Sequence, residues 1–207
     1  MSLKALATIV SVLLFSGCTH VGNVSMVNAS NVYSGYDAKI LGKVTYAIDT
    51  NSLSKLRKDD AVSGYVCGAH RFPIEGGSAF AASVPSMLEA VFEDQPQHAE
   101  MAGKQAIHLL FRVERFEPRL KFNKKFFSMD ADATVELGVS AVGTIDGKRV
   151  FGTSVDSQRN RTGDAKGMCE GGGDVLADAT RDVIKDVLEK LGERMANSQQ
   201  MRSTKSQ

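Results

Sequence analysis

Cys67-Gly68-Ala69-His70 places a thiol and an imidazole close together in the chain, a pairing that could serve as nucleophile and base. Such chemistry needs the imidazole aimed at the sulfur and a third group to orient it. A zinc site would need two further ligands at suitable spacing. His20, His98 and His108 are scattered, with no His-Glu-x-x-His and no second Cys-x-x-His. Asp130, Asp132 and Glu136 would share one face of a strand, because alternate side chains point the same way. Calcium takes six or more oxygens, usually from a curved loop, so this spacing reads as the wet face of an amphipathic strand. Gly171-Gly172-Gly173 ahead of a helix suggests an anion cradle. No Lys-Ser/Thr pair follows it and Asp174 brings the wrong charge, so the run reads as a flexible joint. Arg112, Arg115, Arg119, Lys121, Lys124 and Lys125 gather positive charge between two strands and are a candidate contact for an anionic surface. Glu114 and Glu117 interrupt that charge, which favours a simple solvated face. No Gly-x-Ser-x-Gly elbow, zinc-protease motif or kinase signature occurs. No catalytic residue, metal ligand or cofactor site is therefore assigned, and the expectation is a protein that is not an enzyme.

The first residues carry more information. Lys4 opens an apolar run, and from Ala5 to Phe15 every residue is apolar or small, with hydroxyls only at Thr8 and Ser11. A positive start, a short apolar stretch and small residues before a cut describe an export signal. The stretch is too short to span a bilayer, which takes about 20 residues. Ser16-Gly17 is followed directly by Cys18.

Ser16, Gly17 and Cys18 resemble the lipobox of the bacterial lipoproteins, with Phe15 standing where Leu is usual. The resemblance implies removal of residues 1–17, a thioether-linked diacylglycerol on Cys18 and usually a third acyl chain, such as palmitate, on its amine. Each buried methylene contributes about 0.8 kcal/mol, and two or more chains hold firmly where one does not. In lipoproteins similar to this one an Asp after the cysteine commonly retains the protein in the inner membrane. Thr19 stands there instead, which leans towards an outer-membrane anchor facing the periplasm.

With Cys18 given to lipid, the odd count of three cysteines resolves into a pair, Cys67 and Cys169, in an oxidising compartment. A bridge between them would close a loop of about 100 residues, worth up to roughly 4.7 kcal/mol in the chain-entropy account. Two separately buried thiols remain the alternative.

Composition bounds the rest. The 207 residues include 25 basic and 24 acidic side chains, and 43% of the chain is apolar. That apolar share can build a core, whereas a near-neutral balance argues against general nucleic-acid binding. Four parts are expected: signal peptide 1–17, lipid-anchored tether 18–34, one periplasmic domain 35–195, and a polar disordered tail 196–207.

Within the domain, alternation predicts a strand from Ala38 to Asp49 and a second from Val62 to Ala69 containing Cys67. Phe80, Val84, Met87, Leu88, Val91 and Phe92 recur at helical spacing. Pro85 is awkward there, so either Ser83 caps the main helix or the helix kinks. A strand from Ala106 to Glu114 and a long one from Asp130 to Ile145 follow, and Asp146-Gly147 is a hairpin signal returning through Val150 to Val155. Ser157 to Gly167 reads as a polar loop. Asp174 then caps a last helix with a stripe from Val175 to Leu191. These elements predict an α+β fold, one mainly antiparallel sheet of about five strands with two helices packed on one face. The order is similar to that of small envelope lipoproteins such as the YajG type and the ABC-transport auxiliary lipoproteins. The expected role is an accessory in outer-membrane assembly or transport that binds a protein partner through the groove between the helices or a sheet edge. A lipoprotein holding a small apolar or glycan ligand is the second expectation.

Overall fold

The computed structural model describes residues 18–203 except 102 and 104, so the expected signal peptide and the last four residues lie outside it. Along the chain the strands are β1 (Gly22–Asn23), β2 (Val44–Ile48), β3 (Arg57–Lys58), β4 (Ile74–Glu75), β5 (Gln97–His98), β6 (Ile107–Lys124), β7 (Met129–Ile145) and β8 (Lys148–Asp164). The helices are α1 (Thr50–Leu53), α2 (Gly77–Val91), α3 (Gly171–Ala196) and α4 (Gln199–Ser203). Five strands form the main sheet in the order β5-β2-β6-β7-β8, and β1-β4-β3 form a small second sheet. β6, β7 and β8 pair antiparallel, while β2 pairs parallel with β5 and β6. α3 lies across β7 and β8 and packs beside α2. The expected α+β arrangement is present.

The three long strands carry the fold. β7 alternates Ala131, Ala133, Val135, Leu137, Val139 and Ala141 into the core, all but fully buried, against a wet opposite face. Its turn to β8 is Asp146-Gly147, and both residues have positive φ (48° and 77°), the conformation a tight hairpin requires. β6 runs ten residues past its expected end at Glu114. Its register against β7 shifts between Val113 and Arg115. Before this bulge Ile107, Leu109, Phe111 and Val113 point inward; after it Leu120 and Phe122 do. One extra residue moves the alternation by one position, which makes a single strand read as two patterns.

Three further expectations are corrected. Ser157 to Asp164 is strand, not loop; as the outer part of edge strand β8 it is wet on both faces and shows no alternation. Val62 to Ala69 is not a strand: it touches the main sheet through one bridge, Val62 to Leu120, and then turns. Cys67 sits there at φ 60°, a left-handed conformation that no strand accommodates. Pro85 lies inside α2, where Ser83 is an interior residue. The N-cap is instead Gly76, and the Glu75 carboxylate before it serves the first turn: Oε1 accepts from the Gly77 amide (2.6 Å) and Oε2 from Ser78 Oγ (3.1 Å).

Both ends of the domain also differ from the expectation of a loose tether and a frayed tail. Val27 and Ala29 are buried, and Val32 packs against the core. α4 buries Met201 completely, and Arg202 donates to the carbonyls of Ala196 (2.6 Å) and Ala38 (2.8 Å) while covering the Tyr36 ring at 4.0 Å. Apolar residues spaced among Asn and Ser, together with hydrogen bonds to Ser83, Ser86 and from Arg202, bind these segments to the body.

Candidate functional site

Cys18 is exposed, and it does not swing on a free chain. Its carbonyl accepts from the Arg71 amide (3.0 Å), the His20 amide donates to the Arg71 carbonyl (2.8 Å), and the Gly22 amide donates to the Pro73 carbonyl (3.1 Å). Residues 18–23 thus run as a strand beside 71–75, with Gly22 and Asn23 paired parallel to Ile74 and Glu75. The position expected to carry lipid is therefore seated directly on the body.

The same end of the molecule holds the disulfide. Cys67 and Cys169 are bonded, with their Cα atoms 6.2 Å apart. The bridge ties the loop after Val62 to the turn that enters α3, and Cys67 Sγ lies 3.9 Å from Met129 Sδ at the start of β7. A sulfur held in a disulfide is no thiolate nucleophile. His70 is engaged by a different partner: its Nδ1 lies 2.9 Å from His20 Nε2, and the two rings stack at 5.1 Å. His20 also meets Phe72, which meets Phe122, each pair of rings 5.3 Å apart. A row of rings thus connects the residue two places after Cys18 to the far part of β6.

The glycine run is a packing surface. Gly171, Gly172 and Gly173 are buried in the first turn of α3. A Cβ on Gly172 would press into the rings of Phe122 and Phe72, and one on Gly173 would stand 3.0 Å from the His20 carbonyl oxygen. The run lets the helix start close against β6 and the Cys18 segment, so it is neither a hinge nor an open anion cradle. Asp174 makes no side-chain cap; it pairs with Lys166 at 2.7 Å.

The carboxylates expected to line one strand face are separately engaged. Asp130 pairs with Lys125, Asp132 accepts from Asn123, and Glu136 meets Arg115 at 3.5 Å. Among the described residues no cluster of three or more His, Cys, Asp or Glu is placed to hold a metal ion. The basic run is largely neutralised by acidic neighbours. Arg112 pairs with Asp49 (2.9 Å), Arg115 also with Asp156 (3.2 Å), and Arg119 with Glu117 (2.8 Å). Backbone amides of Ser52 and Asn51, together with Arg112, hold the Asp49 carboxyl below its usual range. Lys121 and Lys124 have no acidic partner among the described residues and remain exposed.

The groove between the two long helices, expected to receive a partner, is filled by this chain. The Val27 amide donates to Ser83 Oγ (2.9 Å) and the Ala29 amide to Ser86 Oγ (3.0 Å), both on α2. Farther along, the Gly35 amide donates to Asn197 Oδ1 (2.8 Å) and Asn197 Nδ2 donates to the Tyr33 carbonyl (3.1 Å) at the end of α3. Residues 27–35 cover the helix pair.

What stays open is a sheet edge. β8 pairs with β7 on one side and ends the sheet on the other. Arg194 donates to the Ser154 carbonyl (2.8 Å) and Arg149 to the Phe151 carbonyl (3.3 Å), which occupies the first part of that edge. From Val155 to Asp164 the outward backbone has no other partner among the described residues. Its side chains are braced from below: Arg159 pairs with Asp186 and Arg161 with Asp182, both on α3. Sequence reading offered a sheet edge as a contact but ended this strand at Val155, because its outer half lacks an apolar face.

No described helix is long and apolar enough to cross a membrane. Comparison with protein-family models and with curated proteins gives no match. Among solved structures the chain is similar to a DUF330 protein from Xanthomonas campestris, with 12% identity, TM-score 0.46, and 84% of this chain and 91% of that one covered. It is similar also to a minor lipoprotein from Acinetobacter baumannii, with 12% identity, TM-score 0.38, and coverage of 77% and 93%. Likeness at this level assigns no function.

Proposed function

We propose that this protein is a lipid-anchored, non-enzymatic component of the bacterial envelope. It is held through acylated Cys18 on the outer membrane, faces the periplasm, and assists assembly or transport by binding another envelope protein. The lipobox residues Ser16, Gly17 and Cys18 support the anchor. The Cys67–Cys169 disulfide supports an oxidising compartment. The binding role rests on one observation, the open edge of β8 from Val155 to Asp164. An edge with unpaired N–H and C=O groups accepts an added strand from an extended partner segment. Here Arg159 and Arg161 are already anchored to α3, so the edge is held in shape before a partner arrives.

A photo-crosslinking residue at Asn160 in cells tests this reading. A discrete adduct with one envelope protein is expected from that position and not from Lys39, on the helix side. Equal, diffuse adducts from both sites would exclude strand addition at β8.

A further inference from the structure

Phe126 and Phe127 stand at the tip of the turn between β6 and β7, 91% and 94% exposed, ring against ring at 4.5 Å. Tyr65, in the disulfide-bonded loop, is fully exposed as well. A chain of contacts places both at the end that carries Cys18. The tip is closed by the Lys125 amide donating to the Ser128 carbonyl (2.8 Å), and Lys124 pairs with Met129 across it. Met129 touches Cys67, and Arg71, four residues later, is bonded to Cys18. Exposed phenylalanines are costly in water, each worth about 1.5–3 kcal/mol when buried. Nothing in the described fold covers these two.

We propose that Phe126 and Phe127 enter the interfacial region of the phospholipid bilayer that holds the Cys18 acyl chains, with Tyr65 at headgroup level. This rests on the acylation of Cys18. Two features select a bilayer as the occupant. The backbone of residues 18–22 is bonded to residues 71–73, so no spacer separates a lipid on Cys18 from the body, and this end must meet the surface. Lys121 and Lys124, exposed without acidic partners on the arm of the same hairpin, suit anionic headgroups. Aromatic rings beside lysines are the side chains that settle at a membrane interface. The protein is thereby given an orientation, with the sheet standing up from the membrane on its β6–β7 tip and the Asp146-Gly147 turn directed away.

The chain contains no tryptophan, so F127W supplies a single fluorophore at the tip. The acylated protein carrying F127W is placed in phosphatidylethanolamine vesicles containing some phosphatidylglycerol and brominated acyl chains. The expected result is a blue shift and loss of emission, with neither in a Tyr33→Trp control on the far side. Water-exposed, unquenched F127W emission from protein that sediments with the vesicles would overturn the proposal. The chain beginning at Thr19, which retains every strand, helix and core residue described above, separates this from the anchor itself. Quenching of its F127W form, and about tenfold weaker vesicle binding after F126S/F127S, would support the tip even if Cys18 proved unacylated. No quenching in either protein would overturn it.

Discussion

Val27 and Ser83 lie 56 positions apart, and the amide of the first donates to the hydroxyl of the second at 2.9 Å in a fully buried setting. Ser83 Oγ in turn donates to the Ala79 carbonyl (2.6 Å), so one hydroxyl serves the helix and the covering segment together. Ser83→Ala leaves the Val27 amide buried without a partner, at a cost of about 1–3 kcal/mol. Urea unfolding should show that loss, and limited proteolysis should begin to cut within 24–34. An unchanged midpoint with no new cleavage would mean that the segment is held mainly by its apolar residues.

Reduction should weaken the domain. The bridge joins residues 102 apart in sequence and closes the end of the molecule where Cys18 lies. Loss of the bond is expected to lower stability by about 2–5 kcal/mol. Denaturant curves of the Cys67→Ser/Cys169→Ser double variant, against the oxidised protein, measure this directly. A shift under about 1 kcal/mol would show that packing alone holds the end closed.

Two carboxyls on α3 should respond to pH in opposite senses. Burial pushes the Asp186 carboxyl up, but hydrogen bonds from Lys190 and Ser157 and the charges of Lys190 and Arg159 outweigh it and hold the carboxyl below its usual range. Its contribution is therefore present above the ordinary carboxylate range and fades as pH falls through the lowered value. Asp186→Asn should cost about 1–2 kcal/mol at neutral pH and progressively less in acid. Burial lifts the neighbouring Glu189 carboxyl above its usual range despite Lys185 at 3.8 Å. Folding then favours its protonated form, and stability falls as pH rises from the ordinary carboxyl range through the raised value. Glu189→Gln should be the more stable protein at neutral pH, by up to about 1 kcal/mol, with the gain vanishing in acid. Thermal melts across pH distinguish the two.

Gly172→Ala tests the tight start of α3. Ordinarily Ala would favour a helix by about 1 kcal/mol over Gly. Here its methyl would meet Phe122, Phe72 and Leu120 at once. Overpacking of this kind costs about 1–3 kcal/mol, so net destabilisation is expected in a denaturant titration. A gain in stability would show that the three side chains yield freely.

The contrast between what sequence did and did not reveal follows burial. β7 and α3 bury one full face each, so their periods of two and 3.6 survive in the residue pattern. The Asp146-Gly147 turn was legible because few residue pairs accept two positive φ angles. β6 was cut short by its bulge, and β8 by having no buried face beyond Val155. Residues 24–34 were misread because Val27, Ala29 and Val32 bind a helix groove without regular structure, a state with no sequence period. The pairing of Cys67 with Cys169 followed from arithmetic once Cys18 was set aside. The placement of Cys18 at the same end as the β6–β7 tip had no such signal, since it depends on separate segments brought together by the fold.

Mass spectrometry of the N-terminal peptide from envelope-purified protein tests the central claim most directly. The account predicts a peptide beginning at Cys18 that carries a diacylglycerol and an amide-linked acyl chain. An unmodified Cys18, or a mature start at any other residue, would contradict it.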